Sequence, residues 1–228
     1  MSENAEVAQI VRGRGAFYEY FSLAYRKPAD KDFLELCKQF APFFTAVASE
    51  VDIPILAEGA NGLKKFAANI TNDEEFLNSL NRSYTSLFLL GHTSVPTSES
   101  VYLSPEKLLK QDPWEAVMKL YAKSSFGIPV SFKEPEDHVS IEMLYMSFLA
   151  GKCADALDAG NDEEAEKLME EQKFFLFNHI MKWVPTFCDG VLKIAKNREI
   201  HLMEEITALL KGFLEYDCSF FDTMFSEE

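Results

Sequence analysis

Apolar residues recur at helical spacing along almost the whole chain, and helix-start devices punctuate them at intervals, a pattern that leaves little room for a sheet. Val7, Ile10, Val11, Phe17, Phe21 and Tyr25 share one face that ends at Pro28. Gly13 and Gly15 each weaken that first helix by about 1 kcal/mol relative to Ala. A second helix is expected over 31–49, kinked at Pro42, and a third from Pro54 towards Ile70. Thr71-Asn72-Asp73-Glu74 reads as a capping box that opens a fourth helix, ending near Gly91. Asp112-Pro113-Trp114-Glu115 places an acidic N-cap before an N1 proline, with Glu at N3. Asn161-Asp162-Glu163-Glu164 repeats the device and opens a helix to about Trp183, which Pro185 ends or bends. Further helices are expected over 186–196 and 199–216. The expectation is an all-α fold, a compact bundle of about eight to ten helices in one domain spanning 1–228. It divides into an N-terminal helical group (about 1–90), a long connection (91–111) and a C-terminal helical group (about 112–228).

The connection 91–111 exceeds an ordinary helix–helix turn, and long loops in compact domains are usually functional or disordered. Val101, Tyr102 and Leu103 give it apolar side chains to pack, and Ser104-Pro105 suits the start of one short helix, so an ordered loop is expected.

Composition excludes whole classes of function. With 228 residues, 47% hydrophobic and 20 Phe, the chain folds around its own core without metal or disulfide staples. Lys and Arg number 22 against 37 Asp and Glu, a net charge of −15. Such a field repels nucleic acid and anionic lipid and favours a basic partner. Cys37, Cys153, Cys188 and Cys218 lack paired spacing and read as buried or incidental thiols of a reducing compartment. No run of about 18 apolar residues is present, and the acidic N-terminus leads into no signal-peptide core, so a cytoplasmic protein without stable membrane insertion is expected.

The segment with most chemical character is Glu134-Pro135-Glu136-Asp137-His138, which runs into the apolar stretch beginning at Val139. Pro135 suits the first turn of a buried helix, with Glu136 and Asp137 beside its positive end. Two readings stay open at this level: acids that dress a helix terminus, or a fixed polar site. Tyr84, Leu87 and Phe88 share one helical face, which spacing alone assigns to the core. Gln172, Leu176, His179 and Trp183 form a stripe that Phe187 extends, so His179 and Trp183 are expected to brace helix packing. His138 and Glu142 lie one turn apart, but no second histidine stands at ligand spacing, and a metal is not expected. Phosphate-loop, dinucleotide and nucleophile-elbow motifs are absent from the sequence. No cofactor and no catalytic residue is expected.

Taken together, Tyr84-x-x-Leu87-Phe88, Pro96, Glu99-Ser100-Val101-Tyr102-Leu103 and Glu134-Pro135-x-Asp137-His138 carry a family likeness, continued by Gln172, Phe175, His179, Trp183, Pro185 and Phe187. In order and spacing over about residues 80 to 190 the chain resembles the TorD/DmsD/NarJ family of redox-enzyme maturation chaperones, in its TorD-like branch. Position 84 is Tyr where relatives often carry Trp. The resemblance implies a chaperone rather than an enzyme. Its partners would be the twin-arginine signal peptide and the apo form of a molybdenum-cofactor oxidoreductase, held until cofactor insertion is complete. An alternative within the family is NarJ-like binding to the mature region of a redox enzyme subunit. The resemblance makes Tyr84, Leu87, Phe88, Pro135, Asp137 and His138 peptide-binding candidates. Glu134 and Glu136 join them as carboxylates able to meet arginine. A monomer is compatible with the sequence, as is a dimer that swaps helical halves through 91–111.

Overall fold

A computed structural model describes residues 3–71, 73–198 and 201–225. Among them ten α-helices are present: α1 (Glu3–Arg26), α2 (Lys31–Glu50), α3 (Pro54–Ala68), α4 (Glu74–Phe88), α5 (Glu99–Leu103), α6 (Asp112–Lys123), α7 (Val139–Asp158), α8 (Asp162–Phe175), α9 (Met181–Arg198) and α10 (His201–Met224). No strand occurs among the described residues, and one isolated bridge joins Ser98 to His138. The fold is all-α, as the periodicity requires. None of the described helices is long and apolar enough to cross a membrane.

Several boundaries differ from the sequence reading, each for a local reason. The fourth helix is capped by Asp73, whose Oδ1 accepts from Phe76 N at 2.8 Å, rather than by Thr71. Gln111, not Asp112, is the N-cap of α6, which moves Asp112 into the first turn. Asn161 caps α8 as expected, accepting from Glu164 N. Pro185 neither ends nor separates the helices around it: α8 continues through a π-helical turn (Leu176–Ile180) into α9, with Pro185 inside. The short helix of the long connection is Glu99–Leu103, ahead of Ser104-Pro105 instead of starting there. The helix expected from 199 begins at His201 among the described residues and extends to Met224.

Contacts divide the chain into two compact units, each drawing on both of the helical groups named above. Unit 1 comprises residues 1–23 and 97–183; unit 2 comprises 24–96 and 184–228. In unit 1, α7 packs along α8, and α1 reaches α8 through Arg14 and α7 through Arg12 and Gly15. Arg14 is buried and donates to Gln172 Oε1 at 3.2 Å, while Arg12 meets Asp155 and Asp158 at the end of α7. A Cβ on Gly15 would stand 3.1 Å from Ala150 Cβ, so α1 approaches α7 closely there. In unit 2, α3 packs on α2 and α10. Gly212 lets α10 close onto α3, since a Cβ there would lie 2.6 Å from the Leu56 backbone. Cys37, Cys153 and Cys188 are buried free thiols and Cys218 is half-buried.

Candidate functional site

In unit 1 the acidic turn is built by a non-local pairing that its own sequence does not announce. Pro135–His138 closes a turn through His138 N to Pro135 O at 3.1 Å, and the helix starts only at Val139. Pro135 is therefore outside α7. The backbone of the turn is taken instead by residues 97–99: Glu99 N donates to Asp137 O at 3.0 Å, and Val139 N to Thr97 O at 2.8 Å. His138 is the residue that caps α7, its Nδ1 accepting from Ser140 N at 3.1 Å.

Asp137 faces the other way. Its Oδ2 accepts from Ser100 N at 2.8 Å and from the Ser100 hydroxyl, so it closes the amino end of α5, not of α7. Asp137 and His138 are buried, whereas Glu134 is exposed and Pro135 and Glu136 are half-buried. Asp137 Oδ1 is buried without a hydrogen-bond partner. Burial raises the Asp137 pKa against the lowering effect of its Ser100 bonds. Glu136 Oε2 accepts from Trp114 Nε1 at 2.7 Å and lies 3.6 Å from Lys110 Nζ. Burial pushes its carboxyl up, but Trp114 and Lys110 outweigh it and hold the pKa below the usual value.

Behind the turn lies a cluster that sequence reasoning left unassembled. Glu99 and Glu142 are fully buried, and His179 is nearly so. His179 Nδ1 stands 3.1 Å from both Glu99 oxygens, presented by the π turn that carries it. Trp183 Nε1 donates to Glu142 Oε2 at 3.0 Å. Burial, and then the facing Glu99 charge, hold the Glu142 pKa well above the carboxylate range. Burial also raises Glu99, against the pull of His179. Glu142 Oε1 is buried without a hydrogen-bond partner. The set is an acid–acid–imidazole chain that ties α5, α7 and the π turn together. His179 and Trp183 brace packing, and they do so through buried carboxylates rather than apolar contact alone. His138 and Glu142 each have partners of their own, Ser140 and Trp183. Among the described residues no group of three or more His, Cys, Asp or Glu is placed to hold a metal ion.

Tyr84, Leu87 and Phe88 belong to unit 2, the acidic turn to unit 1. Tyr84 OH donates to Tyr25 O at 2.9 Å, Leu87 O accepts from Val95 N at 2.8 Å, and Phe88 stacks on Phe187 at 6.2 Å between ring centroids. Tyr84 and Leu87 are buried and Phe88 half-buried. Tyr84 also lines an apolar cavity of about 300 Å³ with Phe33, Phe66, Phe76 and Met203. The sequence-selected residues therefore form two sets, one per unit, with the buried acids as the part missed. The signal for those acids was slight: Glu142 stands inside the apolar run that begins at Val139, and Glu99 lies between two serines just ahead of Val101-Tyr102-Leu103.

Comparison with known proteins places the chain in a family. A family model described as nitrate reductase delta subunit matches residues 54–189. A protein named "Chaperone protein TorD" from Psychrobacter sp. (strain PRwf-1) is 25% identical over 208 residues, covering 90% of this chain and 89% of the relative. Another of that name from Shewanella sp. (strain MR-4) is 29% identical over 215 residues, covering 91% and 93%. A third, from Vibrio parahaemolyticus serotype O3:K6, is 28% identical over 125 residues, covering 53% and 54%. The family match spans more than half of the chain and the similarity to the first two of these chaperones covers about nine-tenths of it: the chain belongs to the nitrate reductase delta subunit family, as a TorD-like chaperone.

Proposed function

We propose that this chain is a cytoplasmic chaperone that binds the twin-arginine signal peptide and the apo form of a molybdenum-cofactor oxidoreductase. It assists cofactor insertion and delays export until that is complete. The observation that carries the reading is the similarity to TorD chaperones over nine-tenths of the chain. Glu134 and the outer edge of Glu136 offer carboxylates to arginine. Asp137 and His138 serve binding by fixing the shape of the turn that presents them, with Pro135 limiting its freedom. Phe88 and the cavity lined by Tyr84 supply the apolar contact in unit 2, with buried Leu87 holding that face in place. The net charge of −15 draws a basic leader in.

The test is calorimetry of the full chain with synthetic twin-arginine leaders of the molybdenum oxidoreductases from the same genome. The expected result is binding by one leader, weakened about tenfold or more by Glu134→Gln with Glu136→Gln, and by a lysine pair in place of the arginines. Unchanged affinity in both experiments removes the site assignment. A second reading, NarJ-like binding to the mature region, is favoured by the description of the matched family as a nitrate reductase subunit. Copurification with a leaderless client, undiminished, selects it.

A further inference from the structure

We propose that the depression between α6, α7 and α8 of unit 1 is a docking point for a basic segment of a partner protein, taking one arginine side chain beside an apolar neighbour. The cavity measures about 420 Å³, within the range of small-ligand pockets. Leu120, Tyr145 and Phe175 line it on the apolar side, and Lys123, Glu170 and Glu171 on the charged side. Phe174 stands at its edge with 51% of its surface exposed. The floor is pre-set: Tyr145 OH is tied to Ser124 Oγ at 2.7 Å and its ring meets Phe175 edge-on at 4.8 Å.

The chemistry of the lining selects the occupant. A purely apolar side chain would strip water from Glu170 and Glu171 and return nothing. An acidic segment is repelled by α8, which carries six carboxylates against two lysines. Lysine would neutralise a carboxylate as a point charge without covering the rings. Arginine does both: its stem lies along Tyr145 and Phe175, its plane stacks on Phe174, and its N–H fork reaches the carboxylates. Lys123 already meets Glu171 Oε1 at 2.9 Å, but Lys123 is largely exposed, so that pair contributes little and yields to a better-fitting cation. Glu170 is exposed and stands beside it.

None of the lining residues belongs to the peptide-binding set above, and the probe has a single arginine, so the outcome is independent of leader recognition. The experiment titrates the ¹⁵N-labelled full chain with the capped tetrapeptide Leu-Arg-Leu-Gly and with its citrulline analogue, of the same shape but neutral. The arginine peptide is expected to shift amide signals within 120–123 and 170–175, and the citrulline analogue to bind about fivefold more weakly or worse. Glu170→Gln with Glu171→Gln should weaken the arginine peptide by a similar factor and leave the citrulline analogue unchanged. Equal affinity of the two peptides for the wild-type chain overturns the proposal, as do shifts that map away from α6 and α8. The wild-type comparison decides the matter even where a variant folds poorly.

Discussion

Replacing Asp137 separates two roles that its position confounds. The side chain accepts two hydrogen bonds from Ser100, one from the backbone and one from the hydroxyl, at a site closed to solvent. A hydrogen bond to a charged group contributes about 1.5–3 kcal/mol, and a buried donor left without a partner costs a similar amount. Asp137→Ala orphans both Ser100 donors and is expected to cost about 3–5 kcal/mol. That is a large share of the roughly 5–15 kcal/mol that holds a domain folded. Asp137→Asn keeps an acceptor for Ser100 and puts its NH2 where Oδ1 now has no partner. It also removes the cost of ionising a buried group. Because burial raises the folded pKa, the folded state binds the proton more tightly than the unfolded chain, and wild-type stability falls as pH rises through that pKa. Asn escapes this loss, so its net cost at neutral pH is expected to be about 1 kcal/mol or less. Urea denaturation followed by circular dichroism measures both, with hydrogen exchange at Glu99 and Val139 reporting the local pairing. Equal stability of the Ala and Asn variants, or an Ala variant within about 0.5 kcal/mol of wild type, refutes the reasoning. In a binding assay Asn is then the informative substitution, because loss of affinity in the Ala variant would report a collapsed turn.

Glu205 lies in unit 2 against Gly62, beside Glu58 and Glu204, and burial followed by those two charges pushes its pKa up to about 7. The folded state therefore holds a proton that the unfolded chain gives up, and stability is lost as pH rises from about 4.5 to about 7. The carboxyl is half open to solvent, so Glu205→Gln should stabilise by a screened amount, about 1–2 kcal/mol above pH 7 and little below pH 4.5, read from melts across pH. Gly212→Ala drives a methyl into the Leu56 backbone and should cost about 2–3 kcal/mol despite better helix propensity, visible as a lower Tm. Gly13→Ala meets nothing within 4 Å and should gain about 1 kcal/mol in α1, and a loss in the melt would contradict the open surface described there.

The helices were legible because their signals are local. Asn161, Pro54 and the apolar stripes each act within a turn or two of their own position. What escaped was non-local. Pro135 has every feature of an N1 residue, yet residues 97–99 claim the backbone of that turn and delay α7 to Val139. Pro185 is a helix breaker by rule, but it lies inside α9, which follows directly on the π turn. Glu99 and Glu142 were unreadable as a unit because a buried acid looks like a surface acid until its partners, His179 and Trp183, are brought to it across 80 and 41 residues. The same limit holds for the candidate residues: motif order along the chain does not reveal that Tyr84–Phe88 fall in unit 2 and Glu134–His138 in unit 1.

The interleaving of those units constrains how the chain is made. The front of α1 has its partners in 97–183, so it leaves the ribosome long before anything it packs against. At synthesis rates of about 5–20 residues per second, roughly 10–40 s pass before unit 1 has all its parts. Unit 2 waits for residues 184–228 in turn. A chain stopped near residue 95 would hold an incomplete share of both units, with apolar faces of α1 to α4 uncovered. The nascent chain thus carries exposed apolar helix faces until its last helices arrive.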